Sequence, residues 1–234
     1  MTAVIGAAAV AVAAFLVAGG PGPSRPRALT SDEVNRLAIT RFRNYEAHGR
    51  AVTIRVPSAS GGLLVTGSVD YRAKVGYGVV HGTGRDTSSD GLIQWKAGTV
   101  LVHPMAHTPT VAPASPPGSG WYGRPSQPSG SALDSALAIA LRLGSNRPDN
   151  AELLPQNGAA WVGEGQLRGH GVDIMLGPHT GAGTSGTVRY WIDSDGTMFR
   201  MQAGVASAPQ PVVIDFDTQK YAPVRPLSGV APTP

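Results

Sequence analysis

The chain has 234 residues, 41% of them hydrophobic and 15% charged, which is enough apolar material for one domain with a buried core. It contains no cysteine, so disulfide bonds, thiolate zinc ligands, a cysteine nucleophile and a lipid-attachment cysteine are excluded. Its formal net charge is +4, but the basic residues are spread thinly from Arg25 to Arg225. Binding to a phosphate backbone needs clustered cations, so we predict that nucleic acid is not a partner.

The N-terminus is apolar. Residues 3–20 form an uncharged run that is long enough, as a helix, to cross the hydrocarbon region of a bilayer. Small residues at 18–20 suit a cleavage site, although no Lys or Arg precedes the run. We predict that residues 1–20 are a signal peptide or a transmembrane anchor, two alternatives that the sequence leaves open. A Pro-rich spacer over residues 21–28 then leads to a domain on the extracytoplasmic face of the cell membrane, or in secreted form.

The next elements are a helix and a group of strands. Thr30 and Glu33 have capping-box spacing and predict the start of an amphipathic helix that ends near Gly49. The hydrophobic period then changes to two, which predicts strands with short connections and hence an antiparallel meander. The five predicted strands cover residues 52–56, 63–71, 75–79, 93–95 and 100–102.

The second half of the chain begins with a Pro-rich stretch. Residues 104–131 contain seven prolines, and we interpret them as a mobile excursion whose aromatic residues Trp121 and Tyr122 are able to pack back onto the domain. Residues 132–143 are apolar almost all round and predict a helix buried against the sheet. Five more strands are predicted, and residues 223–234 are expected to form a disordered tail. These strands cover residues 160–167, 172–176, 188–192, 198–201 and 212–216.

No catalytic or metal-binding arrangement stands out. Residues 183–186 (Gly-Thr-Ser-Gly) lack one residue of a nucleophile elbow and lie in a Gly-rich turn. His103 and His107 are four residues apart, but a proline between them opposes the helix that would aim both at one ion. Asp215 and Asp217 are interpreted as outward-facing strand positions. We therefore predict a protein that is not an enzyme and that has no cofactor and no metal site.

The order of these parts resembles the LolA-like half-barrel lipoproteins, the family of the mycobacterial carriers LprG and LppX. The resemblance covers about residues 29–216 and rests on GLLVTGSVDYRAKVGY (residues 62–77), the hairpin RYWIDSDGTMFRMQA (189–203) and the strand VVIDF (212–216). Its most specific part is the hairpin of Trp191, Ile192, Asp193 and Gly196. The resemblance implies a non-enzymatic protein that holds acyl chains between sheet and helices, or a regulator that binds partner proteins. The chain departs from the family in lacking the lipobox cysteine and in carrying the Pro-rich excursion.

The predicted fold is α+β and mostly antiparallel β: a curved meander sheet, or half-barrel, packed on two helices over residues 29–222, plus the N-terminal apolar helix. The predicted function is extracytoplasmic binding of an apolar or lipidic ligand, meaning a lipid or an acylated small molecule. The alternative is a membrane-tethered interaction or sensor module with a filled core, which binds an envelope protein through the excursion around Trp121. A closed core and a ligand cavity both fit the pattern. If a cavity exists, inward strand and helix positions should line it: Val65, Val69, Val79, Ile93, Leu137, Leu141, Ile174 and Tyr190.

Overall fold

A computed structural model describes residues 25–58, 61–84, 87–178, 188–205, 208 and 210–227. The predicted apolar segment over residues 1–20 lies outside the described residues. Within the described ranges, no helix is both long enough and apolar enough to cross a bilayer.

The strands form one open, curved antiparallel sheet of eleven strands in the order β6-β5-β4-β3-β2-β1-β11-β10-β9-β8-β7. Two meanders, β1–β6 and β7–β11, join where β1 pairs with β11, with Ile54 opposite Ile214. The predicted fold class is therefore confirmed. The strands are β1 Gly49–Ser58, β2 Gly61–Asp70, β3 Val75–Gly82, β4 Gly91–Lys96, β5 Thr99–Pro104, β6 Tyr122–Pro125, β7 Ala160–Leu167, β8 His170–Leu176, β9 Val188–Ile192, β10 Met198–Ala203 and β11 Val212–Phe216.

Three helices in the described ranges accompany the sheet: α1 Ser31–Glu46, α2 Ala132–Arg142 and the four-residue α3 Leu153–Gln156, which the sequence did not predict. The predicted capping box is present at the start of α1, because the Thr30 side chain accepts a hydrogen bond from the Glu33 backbone and the Glu33 carboxylate accepts one from Thr30 N–H. At the start of α2, the Ser131 hydroxyl accepts a hydrogen bond from Asp134 N–H.

The helices cover one face of the sheet, called the helix face below. Helix α2 packs Ala136, Leu137, Ala140 and the following Leu143 against strands β1 to β4 and β11. Helix α1 packs Leu37 and Ala38 in a second cluster with side chains of β8 and β9. The centre of the helix face is filled, since its side chains have almost no exposed surface. These central residues include Val52, Ile54, Val65, Val69, Ile93, Trp95, Ile214 and Phe216.

The opposite face is also covered, by the Pro-rich excursion and by residues 218–227, called the C-terminal strap below. A third cluster joins Val79 and its neighbours on β3 and β4 to Trp121 of the excursion and Val224 of the strap. Gln94, which is fully buried, donates to the Arg225 carbonyl (3.0 Å) and accepts from Leu227 N–H (2.7 Å). The prediction of a disordered tail from residue 223 is therefore wrong for residues 223–227, because these backbone bonds and the apolar contact hold them. Residues 228–234 lie outside the described ranges.

The excursion packs back onto the domain through the aromatic residue that the sequence singled out. The Trp121 ring lies 5.3 Å from the His103 ring and 6.4 Å from the Tyr77 ring, and its indole N–H donates to the Pro117 carbonyl at 2.7 Å. The next residues form the short edge strand β6, which pairs with β5. The excursion is thus bound to the sheet at both of these points.

Candidate functional site

A cleft formed by the described residues has a volume of about 610 Å³, which is in the range of small-molecule sites. It opens between the C-terminal halves of α1 and α2 and two hairpin turns of the sheet, and it is called the basic cleft below. Its lining comprises Arg41, Tyr45, Arg72, Lys74, Trp95, Lys96, Ala97, Gly98, Val100, Ser126, Pro128, Leu137, Ala138, Leu141, Arg142, Gly144, Ser145 and Asn146.

The meander explains why these segments meet. Val75 at the start of β3 lies opposite Lys96 at the end of β4, so the β2–β3 turn and the β4–β5 turn lie side by side. Each turn is tight. Lys74 adopts a left-handed conformation (φ 52°) in the first turn, and Gly98 does so (φ 78°) in the second. The two turns therefore bring Lys74 and Lys96 to the same rim.

The floor of the basic cleft is apolar and continuous with the main core. Trp95, Val100, Leu137 and Leu141 line it and belong to the cluster packed under α2 or lie against it. The Trp95 ring rests on β3 where Gly76 leaves room for it, since a Cβ at that position would lie 2.1 Å from the ring. Any side chain there would displace the ring, so glycine shapes the floor.

An ion pair forms the wall toward α3. Arg41 donates two hydrogen bonds to the Asp149 carboxylate, and its pKa is raised first by these bonds and then by the charge of Asp149. Arg41 also donates to the Arg142 carbonyl (3.3 Å), and Asn44 donates to the Leu143 carbonyl (2.8 Å). Carbonyl groups at the end of α2 are therefore already paired.

A second cleft of about 310 Å³ lies on the other side of the Arg41–Asp149 pair. Its lining includes Leu37, Leu154 and Tyr190, together with polar groups of the loop around α3. Desolvation raises the pKa of the Tyr190 phenol, which keeps that hydroxyl neutral. This cleft has about half the volume of the first.

The structure divides the eight predicted cavity residues. Leu137 and Leu141 line the basic cleft, and Tyr190 lines the second cleft. Val65 and Val69 lie on the helix face as predicted, but they belong to its filled centre. Ile93 lies on the same face and lines a third, smaller cleft of about 200 Å³. Contact of any of them with a ligand stays a prediction.

The inner-face prediction is wrong for Val79 and Ile174. Val79 packs in the cluster on the opposite face, and its neighbour Val80 points to the helix face instead. Ile174 alternates with Met175, which packs under α1, so Ile174 also lies on the opposite face. For Val79 the physical reason is that β3 and β4 are covered on both faces, so large apolar residues there do not mark the inner side of the sheet.

Asp215 has an environment that the sequence did not reveal. It lies on β11 with 1% of its side chain exposed, and it forms ion pairs with Arg55, Arg168 and Arg200. Burial alone would raise the pKa of this carboxyl, but the hydrogen bonds and charges of Arg200 and Arg55 hold it below its ordinary value. The residue thus points to the opposite face as predicted, yet it is buried. It joins β1, β10, β11 and the turn after β7 electrostatically.

The residues considered for metal or nucleophilic chemistry are not brought together. His103 packs against Trp121 while His107 is exposed, and among the described residues no three His, Asp or Glu side chains form a metal-ligating cluster. Residues 183–186 lie outside the described ranges.

Comparison with known proteins reveals only a weak structural similarity. No family model matches the chain, and no curated protein is significantly similar to it. Among solved structures, the chain is similar to a DUF1329 family protein from Desulfovibrio piger ATCC 29098. The TM-score is 0.35 and the identity 13%, with 80% of this chain and 91% of that chain covered.

Proposed function

We propose that this chain is an extracytoplasmic, non-enzymatic binding protein for a lipidic or other acylated ligand, and that the ligand's apolar part occupies the basic cleft. One observation carries the proposal. The floor of this 610 Å³ cleft is apolar: the half-buried Leu141 lies at its surface, and Trp95, Val100 and Leu137, each about 1% exposed, close it from below. Ligand pockets are typically concave and apolar, with a few polar groups at defined positions.

The packing of the helix face supports the edge of the core, rather than its centre, as the binding position. Val65, Val69 and Ile93 under α2 are fully buried, and a ligand between α2 and the sheet would have to displace the helix. The basic cleft needs no such displacement, because it is open between α2 and the β4–β5 turn.

The test uses two matched variants of the full chain. Leu141 lines the basic cleft and Ile174 lies on the opposite face, and both side chains are half-buried. The chain is purified without added lipid, and native mass spectrometry with solvent extraction identifies co-purifying acylated molecules. We expect Leu141→Glu to lose them, because it places a charge on the apolar floor, and Ile174→Glu to retain them.

A ligand-free wild-type chain, or a Leu141→Glu variant that still carries acyl species, would contradict the proposal. Capture of an envelope protein that requires residues 104–131 would favour the interaction module instead. Val111 and Tyr122 in that segment are exposed and would be its first contact residues.

A further inference from the structure

The basic cleft gathers charge from distant parts of the sequence. Five of the chain's 19 basic residues line it, and no Asp or Glu does. The five come from α1, the β2–β3 turn, the end of β4 and the end of α2: Arg41, Arg72, Lys74, Lys96 and Arg142.

Four of these five cations have no carboxylate partner in the described part of the chain. Arg41 is neutralised by Asp149, whereas no carboxylate among the described residues lies within ion-pair distance of Arg72, Lys74, Lys96 or Arg142. All four are exposed at the rim. Unpaired cations in one concave wall repel one another and raise the local concentration of anions.

Local geometry holds this rim in place. The Asp70 carboxylate accepts hydrogen bonds from Arg72 N–H (2.9 Å) and Ala73 N–H (2.8 Å), which fixes the β2–β3 turn. The Arg72 guanidinium lies 5.5 Å from the centre of the Tyr45 ring. The C-terminal end of α2, which carries the negative end of its helix dipole, also lies at the cleft. Its carbonyl groups do not face a ligand unpaired, because Arg41 and Asn44 donate hydrogen bonds to the carbonyls of residues 142 and 143. The rim is therefore cationic rather than carbonyl-lined.

An apolar floor below a cationic rim matches a molecule with an acyl chain and an acidic headgroup. We propose that the basic cleft selects anionic amphiphiles, with a phosphate or carboxylate headgroup on Lys74, Lys96, Arg72 and Arg142 and the chain against Leu141. This inference rests on the proposed function and adds the charge of the ligand to it.

The experiment compares monomeric lysolipids of equal chain length by isothermal titration calorimetry on the full chain. The probes are lysophosphatidylglycerol, which is anionic, lysophosphatidylcholine, which is zwitterionic, and inorganic phosphate alone. We expect the anionic lysolipid to bind at least about tenfold more tightly than the zwitterionic one, as expected for contact with two or more cations. This preference should decrease with salt.

Lys74→Gln/Lys96→Gln should weaken binding of the anionic lysolipid and reduce the preference to about threefold or less. The control Arg189→Gln/Lys220→Gln removes two exposed charges that do not line the cleft and should keep the preference. Equal binding of both lysolipids by the wild-type chain would overturn the charge inference and leave the proposed function standing. Binding of neither would overturn the proposed function itself. Binding of inorganic phosphate as tightly as the anionic lysolipid would overturn the amphiphile inference in favour of a free-anion site.

Discussion

Asp215 shows how much one residue contributes to this sheet. Its carboxylate is buried and accepts hydrogen bonds from arginines of β1, β10 and the β7–β8 turn. Arg168 also donates to the carbonyls of Phe199 (3.3 Å) and Phe216 (2.5 Å). A single side chain thus connects three strands and one turn, and its charge is required to balance the arginines.

We expect Asp215→Asn to destabilise the domain by about 2–3 kcal/mol, because it leaves guanidinium groups around a neutral amide of the same size. The figure is below that of a fully buried pair because the arginines are one-third to one-half exposed. Urea unfolding measures the loss, with the exposed Asp195→Asn as control, expected within about 0.5 kcal/mol of the wild-type chain. A stability equal to that of the control would show that the cluster is only a surface arrangement.

Individual residues also show where the sequence was informative and where it was not. The pattern of β3, in which Val75, Tyr77 and Val79 alternate with glycines, predicted a strand correctly. It misplaced the face, because Gly76 lies on the helix face to make room for the Trp95 ring and the large residues pack under Trp121 and Val224. Only the tertiary partner of a glycine reveals that it faces the core.

Strand β8 was misassigned for a different reason. The period-two pattern predicted that Ile174 faces inward. Asp173 instead accepts a hydrogen bond from the indole N–H of Trp161 (2.8 Å) and pairs with Arg36 of α1 on the helix face. A half-buried ion pair places an acid on the covered face of the strand, and the sequence does not indicate which acid will find such a partner.

At the scale of elements, strand pairing determines the candidate site. The basic residues that line the cleft are separated by up to 101 positions along the chain, from Arg41 to Arg142, so composition alone suggested a thin spread of charge. Alternate turns of a meander lie at the same edge of the sheet, however, and the predicted strands already placed the turns at residues 72–74 and 96–99 together. This signal could have predicted three of the four unpaired rim cations, Arg72, Lys74 and Lys96. The contribution of the helices depends on packing that the sequence does not specify.

The C-terminal strap is the element whose attachment the sequence missed. Gln94 holds it by two hydrogen bonds to its backbone, and Gln219 and Ala222 bond to β2. We expect Gln94→Leu to release residues 223–227, which should become accessible to proteases and to hydrogen exchange, with a stability loss of about 1–2 kcal/mol. Gln166→Leu on the exposed edge strand β7 is the control. Unchanged protection of the strap would mean that Val224 alone is sufficient to hold it.

At the scale of the whole molecule, buried carboxylates tie its peripheral segments to the sheet and helices. Glu33 binds Arg27 of the N-terminal segment, whose backbone bridges to Trp161 on β7. Asp134 at the start of α2 binds Arg124 of the edge strand β6 with hydrogen bonds of 2.6 and 2.7 Å. Burial opposes ionisation of Asp134, but Arg124 and the Gln127 N–H hold its pKa below the ordinary value. Protonation of these acids should therefore loosen both edges of the sheet.

The ion pair of Glu33 should make the folded chain less stable as the pH falls. Hydrogen bonds from Arg27 lower the pKa of Glu33 to about 2 in the folded chain, against 4.5 as its ordinary value. A lowered folded pKa contributes stability above about pH 4.5, and this contribution is lost as the pH falls toward 2. We expect the free energy of unfolding of the wild-type chain to exceed that of Glu33→Gln by about 1–2 kcal/mol at pH 7, a difference kept small by the exposure of Arg27. This difference should be mostly gone at pH 2. Asp32→Asn, at an exposed neighbouring position in the same first turn, is the control. Glutamine can still accept the Thr30 N–H bond, so the comparison isolates the charge. A difference that persists unchanged from pH 7 to pH 2 would show that shape, rather than the ion pair with Arg27, accounts for the effect.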